Sequence, residues 1–103
     1  MSEAQVKLTI VAPADLENAL VEALLETDVP IGAFTSVHVA GHGQSFDEAS
    51  TAERVSGRAS RLMIVAVLPA SLAKGAVERL KTHLRLPHAA WWTEPVLEFG
   101  RFQ

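Results

Sequence analysis

Two stretches of this chain read as near copies of each other. "VAPADLENALVEAL", starting at Val11, and "VLPASLAKGAVERL", starting at Val67, align without a gap and share Val, Pro, Ala, Leu, Val, Glu and Leu. Each runs from the end of an apolar segment, through a proline and a polar residue, into a helical pattern. Chance likeness between two Ala- and Leu-rich helices is the alternative. The reading adopted is two copies of one strand–proline–cap–helix unit, and two β-α-β halves related by a pseudo-twofold make the ferredoxin-like, split β-α-β fold.

The rest of the pattern follows this frame. Val6, Leu8, Ile10 and Ala12 alternate with Lys7, Thr9 and Val11, a first strand with one face committed to the core. Pro13 ends it, and Asp15 offers a carboxylate to the free amides of a first helix turn. Leu16, Leu20, Ala23 and Leu24 mark the inner face of a helix running to about Thr27. Phe34 to Ala40 is a second strand. Arg61 to Leu68, apolar on both faces, is a third and central one. Ser71 is a second candidate cap, and Leu72, Ala76, Leu80 and Leu84 face inward on the second helix. Gly75 inside that helix costs up to ~1 kcal/mol against Ala, which points to close packing or simple tolerance. Ala90 to Phe102 is a last extended segment. Pro95 interrupts it and requires a bulge or a sheet edge, because proline cannot donate to a ladder.

The expected architecture is a single α+β domain over residues 1–103: a ferredoxin-like βαββαβ sandwich, an antiparallel sheet with two helices on one face. The other face has no chain left to cover it. Val11, Val37, Val39, Met63, Val65 and Val67 share that face by parity. Trp91 and Trp92, adjacent on a strand, point to opposite sides, so one can join the helix-side core and the other cannot. A bare apolar face of this size is more than a soluble monomer usually leaves open, so burial between subunits is expected.

Between the second and third strands lies a polar detour, "QSFDEASTAERVSGRAS", from Gln44 to Ser60. Hairpin connections are normally two to five residues, and much longer ones are functional or disordered. Gly41 and Gly43 at its mouth allow backbone conformations closed to other residues and close approach of a ligand to free amides.

Composition removes several classes. The chain has 103 residues, 49% of them hydrophobic and 20% charged, and no cysteine. Disulfides and thiolate metal sites are excluded, and a cytoplasmic location is the default. No apolar run is long enough to insert in a membrane, and the first residues lack a signal-like block. A net charge of −3 argues against nucleic acid as partner. No nucleophile set, acid–base pair or Walker loop is visible, so an enzyme is not expected.

With strand order, length and loop position in view, the chain resembles the nitrogen-regulatory PII signalling proteins and their PII-like and CutA-like relatives, as a divergent branch. "AFTSVHVAGHGQ" resembles the PII second strand and T-loop entry, and "AWWTEPVLEFGRF" the final strand. The resemblance implies a homotrimer, small ligands such as adenine nucleotides in clefts between subunits, and a mobile T-loop (here 44–60) that reaches a partner such as a membrane transporter or efflux component. It places Thr35, Gly43, Gln44 and Arg101 at the ligand. Two further candidates come from the residues themselves: Gly41, for its backbone freedom at the loop mouth, and Arg61, a cation at the loop exit that can contact an anion or an acidic partner. The chain departs from the family where a Gly- and Lys-rich phosphate cradle belongs. That place reads "RLPHAAWW", and Gln103 replaces a second C-terminal arginine. No resident cofactor is expected. The alternative is a divalent-metal protein of metal homeostasis. His38 and His42 would stand about 13 Å apart on a strand, too far for one ion. His42 with Asp47 and Glu48, or His83 and His88 flanking Pro87 together with a neighbour's residues, are the candidate ligands.

Overall fold

The computed structural model describes residues 3–26, 31–42 and 58–102. Strand β1 (Gln5–Pro13) leads through a 3-10 turn (Ala14–Leu16) into helix α1 (Glu17–Leu25). Strands β2 (Thr35–His42) and β3 (Arg58–Pro69) follow, then helix α2 (Ala70–His83) and strand β4 (Ala90–Pro95). The sheet order is β2-β3-β1-β4, with every neighbouring pair antiparallel. This is the ferredoxin-like α+β fold.

The internal repeat survives in the backbone. Pro13 and Pro69 occupy equivalent corners with φ −55, ψ 139 and φ −58, ψ 144. Proline's ring fixes φ near these values, so each copy turns from strand to helix at the same angle. Because β1 and β3 run antiparallel, Pro69 stands opposite Gln5 and Pro13 opposite Arg61, and the two corners lie at opposite ends of the pair.

The caps differ from expectation. Neither Asp15 nor Ser71 is an N-cap: Asp15 lies inside the 3-10 turn and Ser71 inside the first turn of α2, and both helical segments start after a proline with no capping side chain of its own. For α2 the missing acceptor arrives from far away in sequence. Glu3 accepts the Ser71 backbone N–H at 2.7 Å and the Ser71 hydroxyl at 2.9 Å. A carboxylate at a helix N-terminus also meets the positive end of the helix dipole. Helix α1 closes at Leu25, two residues before the expected end. The strands differ in length too. Gly41, His42 and Arg58 to Ser60, placed by sequence at the mouth or in the long loop, are paired in the ladder, while β4 stops at Pro95. Pro95 sits on a sheet edge, where its missing N–H leaves no ladder position empty.

The core lies between the sheet and the helices. Leu8, Ile10 and Ala12 of β1, Leu62, Ile64, Ala66 and Leu68 of β3, Leu20 and Leu24 of α1, and Ala73, Ala76, Val77 and Leu80 of α2 are all buried. Each of the larger side chains contributes about 1.5–3 kcal/mol by leaving water. Gly75 has open space where a Cβ would go, so close packing does not account for it. No helix among the described residues is long and apolar enough to cross a membrane.

Candidate ligand-binding cleft

A cleft of about 450 Å³ opens at the end of the sheet where β2 begins and β3 ends. Its walls include Phe34 and Thr35, the last residues of β3 from Val65 to Pro69, and Leu72 of α2. The segment after β4 closes it with Phe99 and Arg101. Thr35 and Arg101, far apart in sequence, therefore line one cleft. The Arg101 guanidinium lies 5.7 Å from the centre of the Phe99 ring. An exposed guanidinium beside an aromatic ring, in one cleft with a threonine and several apolar side chains, suits an anionic ligand with a flat apolar part. Sequence reasoning missed Phe34, Leu72 and Phe99. Phe99 carried a signal, since it lies two residues before Arg101 in the segment that reads as extended by sequence, where alternate residues share a side.

The other expected ligand residues lie elsewhere. Thr35 stands opposite Val65, whereas Gly41 stands opposite Ala59, at the far end of the same strand pair. Gly41 is six positions further along the extended chain, about 20 Å at the rise of a strand. His42 is next to Gly41. Gly43 and Gln44 lie outside the described residues. Arg61 is at this far end as well, opposite Val39, and its guanidinium donates to the His88 carbonyl oxygen at 3.2 Å. So within one chain the expected site is split into two groups at opposite ends of the sheet.

The histidines are dispersed. His38 reaches the helix side and pairs through Nε2 with Glu17 at 2.8 Å. His42 ends β2, His83 ends α2, and His88 lies in the connection to β4. Among the described residues no three His, Asp or Glu side chains converge on one point. Asp47 and Glu48 lie outside the described residues.

The sheet face away from the helices is open and apolar. Across it run the rows Val37–Met63–Val11–Ala90 and Thr35–Val65–Thr9–Trp92. Val37 is 48% exposed and Trp92 43%. Trp91 takes the other side. It pairs with Ile10 and lines a hollow of about 200 Å³ with Val77, Leu80 and Leu86, under the Lys81 ammonium. It does so incompletely, remaining 47% exposed. At one border of the open face, Trp92 Nε1 donates to Glu94 at 3.0 Å, and Lys7 lies 3.5 Å from the same carboxylate oxygen.

The family profile described as "Protein of unknown function (DUF3240)" matches residues 1–103. This chain belongs to the DUF3240 family. No curated protein matches it. Among solved structures, the DUF3240 protein resembles CPII, a nitrogen regulatory PII-like protein from Thiomonas intermedia K12 bound to ADP, AMP and bicarbonate. The TM-score is 0.67 at 17% identity, covering 94% of this chain and 93% of that one. A DUF3240 family protein from Shewanella baltica OS155 superposes with a TM-score of 0.64 at 17% identity over the whole of both chains. A protein from Thermus thermophilus, named as PII-like and signalling, gives 0.58 at 22% identity over 93% of this chain and 91% of that one. The DUF3240 chain thus has the PII-like fold.

Proposed function

We propose that this DUF3240 protein is a PII-like regulatory module that binds a small nucleotide-like ligand at the seam between two copies of itself. The observation that carries this reading is the split site. The Thr35–Arg101 cleft and the group around Gly41, His42 and Arg61 are about 20 Å apart on one chain, too far for one small ligand. Two copies packed by their open sheet faces can bring the cleft of one chain against the loop end of its neighbour. The apolar rows from Val37 to Trp92 supply the reason to pack.

The comparison with CPII supports the ligand class. That protein binds ADP, AMP and bicarbonate. Arg101 beside Phe99 supplies a cation and a stacking surface of the kind an adenine nucleotide uses. The role is binding rather than catalysis. The long segment from Gln44, between β2 and β3, is then the part that meets a partner, a membrane transporter being the kind the PII resemblance implies.

The test is calorimetry with ATP, ADP, AMP, cyclic AMP and bicarbonate, run alongside light scattering. One site per seam with micromolar or tighter affinity for at least one of these is expected. No heat from any of them, with the assembly intact, would overturn the nucleotide reading.

A further inference from the structure

Arg61 is a cation with only 7% of its surface exposed. It stands on the open-face side of β3, between Val39 of β2 and Pro13 of β1. Its guanidinium does not stop at the neighbouring strand. It reaches the carbonyl oxygen of His88, in the connection between α2 and β4, at 3.2 Å. Among the described residues His88 is the one non-glycine with a positive φ, at 60. A left-handed conformation in a non-glycine residue persists where its surroundings hold it.

The register explains why a side chain is needed there. Strand β4 follows β1 back to the pair Val11 and Ala90. Carried two residues further, the alignment would set His88 opposite Pro13. Proline has no N–H, so β1 has no donor to offer at that position. A guanidinium carries five N–H donors in a rigid fork and can extend across one strand.

We propose that Arg61 is a positioning residue: it latches the α2–β4 connection to the sheet by supplying the donor that Pro13 lacks. Arg61 also lies three residues after Arg58, the first residue of β3, at the strand's return from the long β2–β3 connection. The latch therefore ties the root of that connection to the segment that delivers Trp91 and Trp92 to β4. A change at either end is felt at the other. The inference stands whatever the cleft binds.

Hydrogen exchange resolved by residue tests it in the whole protein. In Arg61→Met, amides from Leu86 to Trp91 exchange at least about tenfold faster, while those of α1 and the middle of β1 keep their protection. Arg61→Lys, with a shorter and unforked donor, falls between. The acceptor is a main-chain oxygen and glycine accepts a positive φ, so His88→Gly keeps the latch and exchanges like the parent. The His88 carbonyl carbon shift moves in both Arg61 variants and not in a core control on the other helix, such as Leu24→Ala. Unchanged exchange from Leu86 to Trp91 in Arg61→Met, or equal damage from His88→Gly, would overturn the proposal. Should Arg61→Met fail to fold, the parent protein decides: slowly exchanging Arg61 guanidinium protons coupled to the His88 carbonyl are expected, and freely exchanging ones refute it.

Discussion

Glu3 shows how far from its own neighbourhood one side chain can act. It satisfies the first turn of α2 by accepting from both the amide and the hydroxyl of Ser71. Replacing an N-terminal acceptor of this kind costs about 1 kcal/mol, so Glu3→Ala should lower the urea midpoint correspondingly without altering the slope. Nothing local announced this cap. Ser71 has the right residue type, but it stands inside the first turn; Pro69 holds the cap position, and the carboxylate comes from Glu3, 68 positions earlier. Thr9 makes the opposite point. Its hydroxyl is buried, with no hydrogen-bond partner among the described residues. An unmet buried hydroxyl costs about 1–3 kcal/mol. Thr9→Val keeps the shape and should therefore raise stability in urea unfolding; a drop would mean that the assembled protein gives the hydroxyl a partner. Arg101 belongs to function. On the proposed reading Arg101→Ala weakens nucleotide binding about tenfold or more, the usual scale for losing a charge-assisted bond, with secondary structure by circular dichroism unchanged.

Element by element, the repeat was the informative signal. It placed two strand-to-helix corners, and both prolines adopt the same backbone angles there. Alternation in β1 and the dense apolar run of β3 were legible because burial on one or both faces writes itself into residue type. Ends were not. Gly41, His42 and Arg58 to Ser60 look like loop by composition, yet they pair across β2 and β3, since ladder bonds are main-chain bonds and ask little of the side chain. Helix α2 offers a direct test at this scale. Gly75 lies in its interior with free space around the position of a Cβ. Gly75→Ala should stabilise the protein by about 0.5–1 kcal/mol, seen as a higher thermal midpoint, because alanine loses less backbone freedom on entering a helix.

At the scale of the whole molecule the open sheet face is the feature on which the proposed function rests. Parity along three strands was enough to foresee it, and the ladder registers align those residues into continuous rows. The split of the expected site was legible in part: a second strand over Phe34 to Ala40 sets Thr35 and Gly41 at its two ends, and the resemblance implied clefts between subunits. The walls of the cleft, Phe34, Leu72 and Phe99, were not, since three separate elements have to be placed before they meet. Val37→Glu places a charge on an already exposed position, so the single chain should still fold. Light scattering should then report about 11.1 kDa instead of an assembly, with nucleotide binding lost together with it. A parent protein that already runs as one chain would remove the seam and the site with it. The two adjoining indoles provide a way to watch this happen. Trp91 looks toward Lys81 and the helices, Trp92 toward the bare side of the sheet. On the proposed reading, the ultraviolet emission colour of Trp91→Phe follows subunit contact, and that of Trp92→Phe follows the helix side. The chain thus carries two intrinsic lamps, one for each side of a single ribbon.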